Sequence, residues 1–203
     1  MISIVNYGMG NIQSIQGALQ YLGFESNVVS TPDGILDSGK LILPGVGSFA
    51  KAMANIRNLQ LLDALNRSVL ERNRPILGIC LGMQLLADSG DEDGPSDGLG
   101  WIPGKVRKIN AGAKLKVPHV GFNTAFFVDR NNALFEGLNT SGDFYFVHGY
   151  VFDCARKSDV SSWTEYGERF ASSIRYKNIY GTQFHPEKSQ SNGLTVLRNF
   201  ASL

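Results

Sequence analysis

Cysteine is nearly absent from this chain: its 203 residues include only Cys80 and Cys154. Two cysteines in unrelated surroundings cannot make a disulfide framework, so a reducing, cytoplasmic setting is expected. Charge of one sign is just as scarce. Lys and Arg number 19 against 18 Asp and Glu, a formal net charge of +1, which provides no field to steer the protein to nucleic acid or an anionic membrane. No apolar run approaches the roughly 18 residues of a membrane span. The opening "MISIV" lacks a basic leader and is too short for a signal peptide. Histidine occurs only at His119, His148 and His185. Neither the histidines nor the cysteines show metal-ligand spacing, so no metal and no cofactor is expected.

What remains is ordinary globular composition, 43% hydrophobic and 18% charged, with no repeat, low-complexity tract or linker. A single domain over residues 1–203 is expected. In the first half, strand-like and helix-like segments alternate. "ISIVN" reads as a buried strand, and Ile12, Ile15, Leu19 and Leu22 then form one helical face that Gly23 stops. "FESNVVS" and "KLILPG" read as the next strands; a helix-rich stretch from Ser48 to Asn73 leads to a fourth, "PILGI". After Trp101 the segments "GKVRKI", "VGFNTAFFV", "DFYFVHGYVF", "SSWTEY", "RFASSIRY" and "IYGTQF" read as strands, and "SQSNGLTVLRNFASL" closes the chain as a helix. The expected fold is α/β: a mostly parallel central sheet with helices on both faces, and an antiparallel extension in the C-terminal half.

One junction needs more than turn chemistry. In "PILGICLGMQLLAD" an apolar strand runs into Cys80, framed by Gly78 and Gly82, and Met83 to Ala87 read as helix. A strand that enters a helix through so tight a turn strains the turn residue and projects its side chain. The glycines leave room where bulkier side chains would meet backbone, the mechanics of a nucleophile elbow with Cys in place of Ser. A helix start near Leu81 favours a thiolate, and the Leu81 N–H faces an oxyanion formed by thiolate attack on a carbonyl. The plainer reading makes Cys80 a small buried hydrophobe at a strand end. Cys154, in "VFDCARK", has no such frame, and for it the plainer reading holds.

A thiol nucleophile needs a base. In "YGTQFHPEKS", His185 ends the last strand, and Glu187 follows with only Pro186 between. A carboxylate at that spacing folds back beside the imidazole and fixes its tautomer; H-P-E also suits a simple polar connection. His119 and His148 read as structural histidines. In "LILPGVGSF", Gly45 and Gly47 flank Val46 directly after a buried strand. Both glycines are free to take positive φ, so this turn can present an N–H as a second oxyanion donor. No G-K-[ST] follows, which excludes a phosphate loop.

In this order "PGVGSF", "GICLGMQLL" and "TQFHPEKS" resemble the motifs of the class I (triad) glutamine amidotransferases, over nearly all of the chain. Within that family "NYGMGN", "KVPHVGFN" and "YFVHGY" resemble the branch of glutaminase subunits that serve imidazole glycerol phosphate synthesis. The resemblance implies that Cys80 attacks the glutamine side-chain amide to form a glutamyl thioester, that His185 shuttles protons, and that Glu187 orients it. It implies glutamine contacts for Gln84, Glu92, Gly149 and Tyr150. It also implies a heterodimer with a (β/α)8 barrel cyclase subunit, which uses the ammonia to make imidazole glycerol phosphate and aminoimidazole carboxamide ribotide in histidine biosynthesis. Asn11, His119, Phe122, Asn123, Tyr145 and Lys188 fall where the family meets that partner. Three positions depart from the pattern: Asn6 for Asp, Phe122 for Trp, and Gly149 for a hydroxyl residue. A paralogous glutaminase feeding another barrel (as in surface-sugar amidation), a stand-alone γ-glutamyl hydrolase, and a non-catalytic assembly subunit are the alternatives. The last would be expected to have lost a member of the triad, and all three are present.

Overall fold

The computed structural model describes residues 1–129 and 131–203. Its first half lays down β1 (Ile2–Val5), α1 (Ile12–Tyr21), β2 (Ser26–Val29), α2 (Pro32–Leu36), β3 (Lys40–Leu43), α3 (Phe49–Asn58), α4 (Leu62–Asn66), β4 (Ile76–Ile79) and α5 (Leu81–Gln84). Two-residue strands β5 (Ser89–Gly90) and β6 (Ser96–Asp97) follow, then β7 (Gly104–Lys108), β8 (His119–Phe127), β9 (Ser141–His148) and β10 (Tyr150–Cys154). β11 (Val160–Tyr166), β12 (Glu168–Tyr176), β13 (Ile179–Thr182) and α6 (Gln190–Ser202) complete the chain. No helix among the described residues is long and apolar enough to cross a membrane.

The nine-stranded sheet runs β2-β1-β3-β4-β13-β12-β11-β8-β9. Its first five strands are parallel, and from β13 onward every pairing is antiparallel. The expected fold class holds. Strands β1, β4 and β13 are buried throughout, because helices cover both faces and an apolar run suits both sides of the pleat. Leu41 and Leu43 enter one core, with the residues of α3; Ile42 enters the other, with those of α1 and α6. Alternation along β3 therefore assigns the two faces.

Two expectations change. "DFYFVHGYVF" is not one strand. It breaks at Gly149 into β9, the edge of the large sheet, and β10, which pairs with β7 in a second sheet of order β10-β7-β5-β6. The bend is held by polar contacts: the Ile109 N–H donates to the Gly149 carbonyl at 3.0 Å, and His148 Nδ1 lies 2.9 Å from the Tyr150 carbonyl. The helix expected over Met83–Ala87 is a single turn, Leu81–Gln84. With so few aligned peptides its macrodipole is small.

The elbow itself is as expected, and the space around it explains both glycines. A Cβ on Gly78 would lie 2.6 Å from the Gly82 carbonyl oxygen, and one on Gly82 would land on the Leu43 carbonyl oxygen. Gly82→Ala is therefore expected to cost at least about 1–3 kcal/mol by overpacking against rigid backbone. Urea unfolding checks this; a midpoint equal to that of the unaltered chain would show that β3 and α5 can part freely.

Candidate active site

Parallel sheets present their chemistry at the carboxyl ends of the strands, and three adjacent strands do so here. Cys80 follows β4, Pro44 to Gly47 follow β3, and His185 follows β13 by three residues. The register pairs Thr182 with Ile79, so Cys80 and Gln183 leave the sheet side by side. Cys80 has φ 55° and ψ −110°, a region that costs a side-chain-bearing residue about 1–3 kcal/mol. Its N–H donates to the Thr182 carbonyl at 2.7 Å, and its carbonyl accepts from the Met83 and Gln84 N–H groups. The strain is thus held by hydrogen bonds on both sides of the residue.

The base is held as firmly. The His185 N–H donates to the Tyr145 carbonyl at 2.9 Å, and its carbonyl accepts from Ser189 Oγ at 2.6 Å. Nδ1 lies 2.8 Å from Glu187 Oε1, with both side chains almost fully buried. Among the described residues Nε2 has no hydrogen-bond partner, and His185 and Cys80 line the same cavity. Burial disfavours the imidazolium. Hydrogen bonding and charge from Cys80 and Glu187 outweigh it, and the His185 pKa is pushed up to about 10. Nδ1 faces the Glu187 carboxylate and the ring lines the cavity that holds Cys80, a base-and-orienter arrangement suited to acyl transfer.

A cavity of about 370 Å³ opens over the sulfur, lined among others by Val46, Gly47, Leu81, Gln84, Glu92, Gly149, Tyr150 and His185. Among the described residues neither the Leu81 nor the Val46 N–H is hydrogen-bonded to another part of the chain. Gly47 takes φ +98°, a conformation that glycine adopts without strain. Gly45 is glycine for a different reason than expected: a Cβ there would sit 2.7 Å from the Tyr7 hydroxyl and 2.8 Å from Leu81 Cβ. Packing, not positive φ, excludes a side chain at position 45.

Gln84 is buried, and its Nε2 donates to the Tyr150 carbonyl at 3.0 Å and to Gln183 Oε1 at 2.9 Å. Its own oxygen remains to accept from a ligand. Glu92 Oε2 accepts from the Phe49 N–H at 3.0 Å, so it caps α3 while lining the cavity; burial raises its pKa. A Cβ on Gly149 would meet only Val117 Cγ1 at 3.5 Å, so a hydroxyl residue would also fit. Asn6 Oδ1 accepts from the Gly8 N–H at 3.0 Å, which an Asp would do equally.

The residues expected at a partner junction divide. Asn11 and Lys188 are exposed, Asn123 and Tyr145 half-buried. Phe122 is 51% exposed and sits edge-on to Tyr145, over whose ring Lys188 places its ammonium at 5.8 Å. His119 instead turns inward, 3% exposed, against His148. Two residues of the site were missed. Gln183 donates through Nε2 to Cys80 Sγ at 3.7 Å, and Ser189 clamps the His185 turn. The signal for Gln183 is a glutamine inside an apolar strand run two positions before His185, hence on the same face.

The family described as "Glutamine amidotransferase class-I" matches residues 3–202. The chain is 46% identical over 200 residues to "Imidazole glycerol phosphate synthase subunit HisH 2" of Vibrio vulnificus, covering 98% of this chain and 92% of that one. It is 48% identical over 202 residues to "Imidazole glycerol phosphate synthase subunit HisH" of Moorella thermoacetica, covering 100% and 94%. To "Imidazole glycerol phosphate synthase hisHF, chloroplastic" of Arabidopsis thaliana it is 45% identical over 202 residues, 98% of this chain but 34% of that one. A solved structure described as PurLQS from Thermotoga maritima superposes with a TM-score of 0.78 at 18% identity, over 99% of this chain and 97% of that one. At that identity the likeness shows the fold alone.

The two thiols should differ sharply towards iodoacetamide at neutral pH. Burial, then Asp159 and Asp153, push the Cys154 thiol up to about 12, so label is expected on Cys80 only; peptide mapping that finds it on Cys154 overturns the assignment. Glu187→Gln removes two of the influences that raise His185. Its pKa should then fall from about 10 towards 6.5, measurable by nitrogen NMR of the imidazole. An unchanged value would remove Glu187 from the charge balance.

Proposed function

The chain belongs to the class-I glutamine amidotransferases, and from that premise we propose that it releases ammonia from glutamine and passes it to a (β/α)8 barrel subunit of imidazole glycerol phosphate synthase. The observation that carries the reading is the strained Cys80 and the buried His185–Glu187 pair opening onto one cavity that also presents Gln84 and Glu92. Glutamine lies with its amino group towards Glu92 and its backbone against Gly149 and Tyr150, and Gln84 accepts from it. The Cys80 sulfur attacks the side-chain amide carbon. The electron pair of the broken C=O π bond becomes an oxyanion, received by the Leu81 N–H and a donor from the Gly45–Gly47 turn. Collapse breaks the C–N bond while His185 protonates the departing nitrogen. A glutamyl thioester and ammonia result. Water then attacks the thioester with His185 as base, and glutamate leaves as the sulfur is regenerated.

The pathway assignment is supported by relatives at 46% and 48% identity that carry the printed name of an imidazole glycerol phosphate synthase subunit. In the Arabidopsis relative the matched region is 34% of a chain named as the whole synthase, which fits a unit working beside a larger one. Glutaminase activity without an acceptor wastes glutamine, so the free chain is held nearly inert by a Val46 N–H turned from the oxyanion position. Docking of the liganded barrel favours the flipped form, in which that N–H points to the oxyanion. One oxyanion donor is worth roughly 100- to 1,000-fold in rate, enough for a switch.

The test is glutamate release by the chain alone, with the barrel subunit, and with barrel plus its nucleotide ligand. Stimulation of about 100-fold or more by the last combination is expected, together with growth of a histidine auxotroph lacking its own subunit. A free chain as fast as the complex would favour a stand-alone γ-glutamyl hydrolase. Activation by a sugar-modifying barrel only would keep the glutaminase and remove the histidine pathway. Within the active complex, Cys80→Ser should lose about 10³-fold or more in kcat. Glu187→Gln should lower kcat more than it raises KM and move the alkaline limb to lower pH, because His185 there loses its proton sooner.

A further inference from the structure

His119 and His148 face each other across the β8–β9 ladder as a register pair. They are buried in an aromatic casing: Tyr166 and Phe146 stack on His119 at 3.9 and 5.0 Å, and Phe170 lies 4.9 Å from His148. His119 Nδ1 is 3.0 Å from His148 Nε2, His148 Nδ1 is 2.9 Å from the Tyr150 carbonyl, and Asn123 Nδ2 is 3.3 Å from His119 Nε2.

The direction of every bond follows from the two ends. A carbonyl only accepts, so His148 carries its proton on Nδ1 and offers the Nε2 lone pair. His119 must then donate from Nδ1 and accept on Nε2. The donor it needs is there. Asn123 Oδ1 accepts from the Thr124 N–H at 2.8 Å, and Asn123 Nδ2 also donates to the Glu165 carbonyl at 3.0 Å, so the amide nitrogen is the atom turned to His119. A second proton on either ring would set two N–H groups against each other.

We propose that His119 and His148 are positioning residues of the cavity: a one-way string from the Asn123 amide through two neutral imidazoles to the Tyr150 carbonyl fixes the Gly149–Tyr150 wall. The string does not stop at that wall. The Tyr150 carbonyl also accepts from Gln84, whose amide reaches Gln183, whose amide reaches the Cys80 sulfur. That the wall meets glutamine rests on the glutaminase reading; the geometry of the string does not. The titratable side chains that face the pair are Tyr166 of β11 and His185 beyond β13, and among the described residues no carboxylate is hydrogen-bonded to either ring. Burial pushes His119 down to about 4. Burial first, opposed by the bond to Tyr150 and joined by the charges of His119 and His185, pushes His148 down to about 3.

Nitrogen-edited NMR of the imidazoles in the unaltered chain tests the string directly. Two histidines should be in the neutral Nδ1–H tautomer at pH 7 and remain so at pH 5. An Nε2–H tautomer at either, or titration near 6.5, overturns the proposal. A kinetic arm uses the chain with its barrel partner. His119→Phe keeps the stacked ring and removes both hydrogen bonds, so the glutamine KM should rise about tenfold, with kcat within about threefold of the unaltered complex. Iodoacetamide labelling of Cys80 should persist. Unchanged KM and kcat in a folded variant overturn the positioning role; if the variant does not fold, the tautomer measurement decides. The failures are distinguishable, since an unaltered complex that turns over no glutamine would overturn the glutaminase reading and leave the tautomers unaffected.

Discussion

Everything at this site depends on one steric fact: the first turn after β4 passes so close to β3 and β4 that no side chain fits at Gly78 or Gly82. That approach forces Cys80 into its strained backbone conformation. It also fixes where the sulfur points and where the Leu81 N–H points, since both leave the same turn. A residue with φ 55° and ψ −110° relaxes unless the surroundings over-determine it. Here the Thr182 carbonyl holds its N–H and two N–H groups of α5 hold its carbonyl. The sequence G-x-C-x-G is therefore a statement about backbone clearance first and about chemistry second. The chemistry follows because the clearance leaves only one direction for the sulfur.

The three histidines show how surroundings, not residue type, set protonation. His185 has a carboxylate on one nitrogen and the sulfur on its other side, and it keeps its proton well into the alkaline range. His119 and His148 are equally buried but have only each other, an amide and a carbonyl as partners. With no negative charge to repay desolvation, they stay neutral far into acid. One face of the cavity is thus charged and reactive while the wall beside it is neutral and rigid. The proposed chemistry, which passes from a neutral amide through an oxyanion, benefits from both.

Much of this was legible from sequence, and the division is physical. The parallel strands were readable because burial on both faces leaves an apolar run, as in "ISIV" and "KLIL". The elbow was readable because glycines on both sides of a cysteine, between a strand and a helix, leave the clearance that a tight turn needs. The His185–Glu187 pairing needs only two residues and a proline. What was not readable is decided by partners distant in sequence. Gly149 divides one apparent strand between two sheets because Ile109 and the His148 side chain hold the bend. His119 turns inward because its ring stacks on Tyr166, 47 positions away. Gly45 reads as a flexible turn residue until Tyr7 is placed beneath it.

The division of "DFYFVHGYVF" between two sheets also explains why the cavity is where it is. β9 ends the large sheet and β10 begins in the small one, so the chain opens a cleft at the change of sheet, directly over the carboxyl end of β4. Gly149 and Tyr150 line that cleft from one sheet's margin. Glu92, between β5 and β6 of the same small sheet as Tyr150, reaches it while capping α3. A cavity walled by two sheets would widen if the sheets moved apart. The contacts that oppose this are polar: Gln84 to the Tyr150 carbonyl, Glu92 to the Phe49 N–H, and His148 to the same Tyr150 carbonyl. Apolar contacts tolerate sliding, whereas a buried hydrogen bond depends on direction as well as distance, and breaking it leaves its partners unsatisfied. The site holds its dimensions through the residues least able to give way.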